Sequence, residues 1–276
     1  MKNILIAGAN SYIGKSLREY LSQYPEDYNI ELLRTRNLKP DPSMFAGIDV
    51  VFCAAGIAHV KETKANRHLY YEVNRDLVVD IARNAKAAGV QQFILLSSMA
   101  VYGLETGTID KRSIPHPITA YGESKLMADE EIKKLDNERF IFTCLRPPMV
   151  YGKNCAGNYQ SLRSFALKSP VFPNYSNHRS MIYVGNLCYF IKICIDFKRS
   201  GLYFPQNNAY VNTSEMVKAI AEVHGKKIKL TKVFNWAIKL VPLMILKKVF
   251  GSLTYEPVDM VDAFEFEESI RLTEGE

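Results

Sequence analysis

The chain has 276 residues, 47% hydrophobic and 23% charged, with a formal net charge of +6. This is the composition of an ordinary globular protein, which excludes disorder as the main state, and the scattered arginines make +6 only a weak pointer to acidic ligands; the charge does not itself exclude nucleic acid, although no nucleic-acid partner is expected. No stretch of about 18 residues is free of charge or strong polarity, and the N-terminal MKNILIAGAN runs into glycine instead of an apolar signal core, so a cytoplasmic protein is expected.

Lys2 to Ala7 is a short β-rich apolar run, and Gly8 to Gly14 leads into a helix with Ile13, Leu17 and Leu21 at helical spacing. Tyr28 to Leu33 and Ile48 to Cys53 read as the next two strands. Pro40 and Pro42 lie between them, leaving room for little more than one helical turn. A long helix from about Lys64 to Ala88 ends at Gly89, Gln92 to Ser97 is a fourth strand, Thr119 to Leu135 a helix and Phe140 to Leu145 a fifth strand. Nearly all-apolar strands alternating with helices give an α/β fold, a Rossmann-type doubly wound parallel sheet covered on both faces. After Arg146-Pro147-Pro148 the pattern loosens, with helices near Asn158 to Leu167, Val184 to Phe197 and Thr213 to His224. The expected division is a dinucleotide-binding domain over 1–150 and a smaller substrate-binding region over 151–276, closely packed and partly interleaved. The five cysteines lack paired CxxC spacing and four sit in apolar runs, so neither a disulfide framework nor a zinc site is expected.

A parallel strand, a tight turn and a helix N-terminus make an anion site, because free N–H groups and the helix dipole converge there. Gly8-Ala-Asn-Ser-Tyr-Ile-Gly14 supplies this pattern, with Ser11 where a third glycine would allow the closest phosphate approach. Such turns also occur as plain structure, so the motif alone does not decide for a dinucleotide. At the end of the second strand an acid holds the ribose of NAD, whereas NADP needs a cation. Arg34 and Arg36 stand there and the last preceding acid is Glu31, which favours NADP(H) over NAD(H), against the alternative of two solvated loop arginines.

Tyr121-Gly-Glu-Ser-Lys125 places a phenol and an ammonium four residues apart on one helix face. A free phenol titrates near about 10, and a neighbouring ammonium and an oxidised nicotinamide both favour the phenolate. With 16 tyrosines in the chain this spacing also arises by chance. In Leu95-Leu-Ser-Ser-Met-Ala-Val-Tyr-Gly103 the fourth strand ends in hydroxyls, and ligands of open α/β sheets bind beyond the carboxyl ends of the strands. Ser98 is therefore a candidate to hold a substrate alcohol or ketone, or else an ordinary turn residue.

In chain order, GANSYIG, VFCAAG, VNRD at Asn74, LLSSMAVYG, YGESK, LRPPMVYG and RSMIYVGNL resemble the extended short-chain dehydrogenase/reductases, the NAD(P)-dependent nucleotide-sugar epimerase/dehydratase family. The resemblance implies that Ser98, Tyr121 and Lys125 form the catalytic triad and that Asn74 supports the site. It implies cofactor contacts at Gly8, Asn10, Ser11, Tyr12, Ile13, Gly14, Arg34, Arg36, Ala54, Ala55, Gly56 and Pro147, with Tyr121 and Lys125 reaching the nicotinamide side. It implies a UDP-sugar substrate, touched by Ser98, with Arg179 on the diphosphate and Asn158 as a second contact, although both are also plausible loop caps. A homodimer through the helices around Lys64 to Ala88 and Thr119 to Leu135 is implied as well.

Sugar dehydratases of this family use a pair of carboxyl side chains just after the catalytic hydroxyl. Met99 and Ala100 stand there, and apolar groups cannot do acid–base work, which disfavours dehydration. The resemblance is nearest to UDP-4-keto-6-deoxy-HexNAc reductases of the quinovosamine-forming type, acting in surface-polysaccharide synthesis. The alternatives are a UDP-sugar 4-epimerase with retained NAD and a non-catalytic NADP-sensing binding protein. Residues 226–250 hold seven lysines and no acid, whereas 256–276 hold eight acids and Arg271. Within the first stretch, 233–250 is apolar almost all round, which admits contact with an anionic membrane surface, but Pro242 interrupts it and a buried helical hairpin explains it at least as well.

Overall fold

Six strands form one parallel sheet: β1 (Lys2–Ala7), β2 (Tyr28–Leu33), β3 (Val50–Cys53), β4 (Gln92–Leu96), β6 (Ile141–Leu145) and β10 (Gly201–Tyr203), in the order β10-β6-β4-β3-β1-β2. This computed structural model describes residues 1–58, 60–233, 235, 249–261 and 263–275. The near-continuous apolar runs of β1 and β3 are what a strand covered on both faces requires, and Ile4, Ile6, Val51 and Phe52 are all fully buried. Neighbouring registers are regular, as in Ile4 opposite Val50 and Ile94 opposite Thr143. The strand order reverses at β1 and β3, and the crevice beyond their carboxyl ends is the ligand position of such sheets.

Helix α1 (Tyr12–Leu21) buries Ile13, Leu17 and Leu21, the spacing of one helical face. As the two prolines require, a single short 3₁₀ turn, Pro42–Phe45, stands between β2 and β3. The long helix expected from about Lys64 begins later, at Arg67, because Thr63 and Asn66 bond each other's backbone N–H groups in a turn. It is α-helical over α2 (Arg67–Tyr71), π-helical over Glu72–Leu77 and α-helical again over α3 (Val78–Ala87). Val78, Ile81, Ala82 and Ala85 of α3 join Phe45, Val51, Phe93 and Phe140 in the core. Truncating Phe93, fully buried there, is expected to cost about 3–5 kcal/mol. Helix α4 (Ala120–Lys133) contributes Ala128 and Ile132 to the same core.

The chain divides into two compact units, each assembled from separate stretches. The first holds Met1–Gly103, Ile114–Pro147 and Leu187–Pro205, the second Leu104–Ser113, Pro148–Asn186 and Gln206–Glu276. Pairing explains the interleaving: β10 joins the first unit beside β6, and β5 (Gly107–Ile109) joins the second by pairing with β13 (Leu253–Tyr255). In the second unit β7 (Met149–Tyr151) also pairs with β9 (Met181–Tyr183), and helices α5 (Asn158–Lys168), α7 (Thr213–Val223) and a C-terminal helix, Phe266–Glu274, pack among themselves. The Glu274 carboxylate, its side chain fully buried, accepts from Tyr159 (2.7 Å) and Arg163 (2.6 Å) and bonds His224 (2.6 Å), which ties the end of the last helix to α5 and α7.

Among the described residues no helix is long and apolar enough to cross a membrane. Apart from Val233, Asn235, Val249 and Phe250, the apolar segment 233–250 lies outside the described residues.

Candidate active site

At the end of β1 the chain turns at Gly8, whose φ of +90° is open to glycine and strained for other residues. A Cβ there would stand 2.7 Å from the Ala54 carbonyl carbon, and one on Gly14 would stand 2.6 Å from the Gly8 carbonyl oxygen. The ends of β1 and β3 and the first turn of α1 thus approach more closely than side chains at these positions permit. Ser11 serves as the helix N-cap, its Oγ accepting from the Gly14 N–H at 3.0 Å. Asn10 is exposed and Tyr12 half-buried on this turn, and Ile13 points into the core. Free helix N–H groups, a positive dipole end and space that a Cβ would fill suit a dinucleotide pyrophosphate, so these residues fit the cofactor. Ala54 and Ala55 are buried at the end of β3, followed by Gly56 with φ +155°. Arg34 and Arg36 are both exposed just past β2, and no salt bridge among the described residues includes either.

Thr119 caps α4 by accepting the Gly122 N–H at 3.1 Å, which sets the first turn carrying Tyr121. The half-buried Tyr121 ring meets Tyr70 edge-on, with centroids 6.5 Å apart. One turn later Lys125 is only 5% exposed, and its Nζ donates to the carbonyls of Leu96 (3.0 Å) and Ala55 (3.4 Å). The ammonium therefore bridges the ends of β4 and β3. A Cβ on Gly56 would lie 3.1 Å from this Nζ and 2.9 Å from Asn74 Oδ1, so the strand end, the lysine and the π-helical turn converge where only glycine fits. Asn74 is fully buried: its Oδ1 accepts from the Ile57 N–H (2.7 Å) and its Nδ2 donates to the Ile57 carbonyl and Ser124 Oγ, both at 3.2 Å. The π turn is what presents this side chain inward.

Ser98 opens a 3₁₀ turn, Met99–Tyr102, and its Oγ accepts the Ala100 N–H at 3.1 Å, leaving the hydroxyl proton to donate elsewhere. Helix α4 packs onto this turn at Gly122, where a Cβ would meet the Ala100 carbonyl at 2.5 Å; that close approach puts Tyr121 beside the turn that Ser98 begins. Pro147 joins the group through its carbonyl, which accepts from the Met99 N–H at 3.0 Å. Ser98, Tyr121, Lys125, Asn74, Gly56 and Pro147 thus belong to one locus in the first unit.

Arg179 and Asn158 belong to the second unit. Arg179 exchanges both backbone hydrogen bonds with Val211, and its Nη1 donates to the Gly251 carbonyl at 2.8 Å. Burial pulls its guanidinium below the ordinary arginine value, with Glu105 opposing, and no salt bridge among the described residues neutralises it. A desolvated guanidinium of this kind is suited to a phosphate. Asn158 is exposed on the first turn of α5, behind Gly157.

Sequence reasoning missed several side chains that hold the locus. Glu62 Oε2 accepts the Ala120 N–H at 2.9 Å, and Tyr71 donates to Glu123 at 2.6 Å, fastening the start of α4. Asp129, Ser97, Arg146 and Tyr102 form a buried polar network behind Ser98. Asp129 stands at i+4 from Lys125 on a face of α4 that also buries Ser124 and Lys125, and no local pattern in the sequence pairs it with Arg146.

A parallel sheet with a glycine cradle at its switch point and a Tyr/Lys helix beside a strand-end serine is the arrangement of a dinucleotide-dependent enzyme of the extended short-chain dehydrogenase/reductase type. Residues 4–202 match the NAD dependent epimerase/dehydratase family. The chain is 31% identical over 278 aligned positions to UDP-glucose 4-epimerase of Vibrio cholerae, covering 91% of this chain and 83% of the relative. It is 29% identical over 250 positions to N-acetyl-alpha-D-glucosaminyl-diphospho-ditrans,octacis-undecaprenol 4-epimerase of Escherichia coli O157:H7, covering 82% and 73%. UDP-glucuronic acid 4-epimerase from Bacillus cereus, solved with NAD, superposes with a TM-score of 0.76 over 98% of this chain and 96% of its own, at 16% identity. The chain belongs to the NAD-dependent epimerase/dehydratase family, as its motifs imply, and is an NAD(P)-dependent enzyme of sugar oxidoreduction.

Proposed function

We propose that this enzyme reduces the 4-keto group of a UDP-linked 6-deoxy-N-acetylhexosamine with NADPH, in the assembly of a surface polysaccharide. The observation that carries the choice of reduction is the pair of exposed arginines, Arg34 and Arg36, at the end of β2 with no acid in the usual ribose-holding place. Guanidinium groups there suit a 2′-phosphate, and a cofactor bearing one is the common reductant of biosynthesis. Met99 and Ala100 supply no carboxyl pair, so the keto sugar is made elsewhere.

When bound, the nicotinamide supplies hydride to the sugar carbon. Tyr121 gives the carbonyl oxygen its proton as the alcohol forms, and Ser98 donates a hydrogen bond to the same oxygen, holding it in line. Lys125 stabilises the negative charge left on the phenol, from a position fixed by the Leu96 and Ala55 carbonyls. Asn74 keeps the loop after β3 and the Ser124 side of α4 in place. Arg179 holds a diphosphate oxygen and Asn158 adds a weaker contact.

A second reading, 4-epimerisation with retained NAD, is favoured by one observation: the Vibrio cholerae and Escherichia coli relatives are both 4-epimerases. Incubation with a UDP-4-keto-6-deoxy-HexNAc and NADPH separates the readings. Stoichiometric NADPH oxidation supports the reductase, whereas interconversion of C4 epimers without added cofactor, by protein that co-purifies with NAD, replaces it. We further propose a homodimer through the long helix running from α2 to α3 and through α4, which sedimentation at micromolar concentration tests.

A further inference from the structure

Asp129 and Arg146 form an ion pair at 3.0 Å with side chains only 5% and 9% exposed, and among the described residues no other salt bridge has both partners so deeply buried. Asp129 follows Lys125 by one helical turn and Tyr121 by two, on the same face of α4. Its Oδ2 also accepts from Ser97 Oγ at 2.8 Å, and Arg146 Nη1 donates to the Tyr102 hydroxyl at 2.8 Å. Asp129 Oδ1 has no N–H or O–H partner, and burial pushes this carboxyl above the ordinary value while Arg146 and Ser97 pull it back. Two ions removed from water in this way add little net stability, and apolar replacements often serve as well, so fold stability is a weak reason for the pair.

The network's members are, however, the immediate neighbours of the reacting groups. Ser97 precedes Ser98, Arg146 precedes Pro147, and Tyr102 closes the turn that Ser98 opens. Around Ser98, the Ser97 N–H donates to the Leu145 carbonyl (2.7 Å) and the Met99 N–H to the Pro147 carbonyl (3.0 Å). Successive positions of one strand end are therefore stitched to α4: Leu96 to Lys125 and Ser97 to Asp129. We infer that Ser97, Asp129 and Arg146 act as positioning residues that fix Ser98 in register with Lys125 and Tyr121. This rests on the catalytic reading above, in that the register matters only if these three groups act on one substrate oxygen.

Ser97→Ala is the sharpest test, because it cuts the strand-to-helix stitch while leaving the ion pair whole. The expected result is a fall in kcat of about 10-fold with KM within about 2-fold, since transition-state alignment is lost and binding is kept. Amide exchange at Ala100, whose N–H rests on Ser98 Oγ, should quicken by about 10-fold, a local opening without global unfolding. In a Ser98→Ala background the same change should add less than about 2-fold to the loss, because residues acting through one another are non-additive. Ser97→Thr, which restores the hydroxyl, should recover most of the turnover. Unchanged kcat and unchanged Ala100 exchange, with only a lower melting temperature, would overturn the inference, as would a full further loss in the Ser98→Ala background. If the parent enzyme turns over neither a 4-keto sugar nor a C4 epimer pair, the functional reading fails, and the exchange rate at Ala100 then decides the positioning claim by itself.

Discussion

The two ends of the sheet's carboxyl edge are built from different materials. Around β1 and β3 the work is done by backbone: Gly8 and Gly14 bring N–H groups and strand ends closer than a Cβ allows. Around β4 and β6 it is done by side chains: Lys125 reaching two carbonyls, Ser98 capping a turn, and a buried Asp129–Arg146 pair behind them. The difference matches the chemistry proposed for each end. A pyrophosphate is recognised by many N–H dipoles at close range, whereas proton transfer needs one or two side chains held at a fixed reach.

Each end can be broken separately. Tyr121→Phe should lower turnover by about 10³-fold while leaving NADPH affinity within a small factor, because only the transferable proton is removed. Steady-state kinetics beside fluorescence titration of NADPH measures both, and near-normal turnover would remove Tyr121 from the mechanism. Gly14→Ala acts on the other end. Its Cβ would sit 2.6 Å from the Gly8 carbonyl oxygen, so the turn must open, and NADPH affinity should fall by about 10- to 100-fold with a smaller loss of kcat at saturating cofactor. Equal loss in both variants of both quantities would dissolve the distinction between the two ends.

The same contrast decides what is legible in the sequence. Strand β1, the turn at Gly8 and helix α1 follow from apolar runs, glycine and helical spacing, and the structure has them where those signals stand. Ser98, Tyr121 and Lys125 are legible as motif pieces, because chemistry restricts residue type. Their supports are not. Nothing local marks Asp129 as buried or joins it to Arg146 across 17 positions, since that pairing depends on how α4 lies against β6. The long helix is visible as periodicity, but its π turn is not, because a single-turn π segment is a rare insertion within an α-helix and has no repeating pattern of its own. Partial interleaving of the two regions is expected from the sequence, but which stretches cross over is set by long-range pairing, β5 with β13 and β10 with β6.

Smaller effects sharpen the picture. Arg34→Ser with Arg36→Ser should weaken NADPH binding by about 10-fold and leave NADH nearly unchanged, erasing the preference, as isothermal titration with both cofactors would register. Equal affinity for the two cofactors in the parent enzyme would defeat the assignment of these arginines.

The smallest effect is a pH signature. Burial raises the Asp129 carboxyl, so the stability it contributes is full below the unfolded carboxylate value and is lost as pH rises through its raised folded value. For Glu274 burial also pushes upward, but its bonds to His224, Tyr159 and Arg163 prevail and hold the carboxyl below the ordinary value. Its contribution has the opposite sign: present above the unfolded value of about 4.3, and lost as pH falls through the lower folded value. As pH rises from the acid side of the carboxylate range to neutrality, the stability of Asp129→Asn relative to the parent should therefore improve, and that of Glu274→Gln should worsen. Thermal melts of the three proteins across that range read both signs, and a common sign would refute the assignment.

The central proposal is a one-way C4 reduction with NADPH in which Ser98, Tyr121 and Lys125 act on the carbonyl. NADPH consumption set against product formed from a UDP-4-keto-6-deoxy-HexNAc, followed by absorbance and by NMR of the sugar, measures it without intermediaries. One NADPH should be oxidised for each 4-hydroxyl formed, with product from Tyr121→Phe appearing about 10³-fold more slowly. Conversion of UDP-glucose to UDP-galactose with no net cofactor change, and no NADPH consumed on the keto sugar, would contradict it.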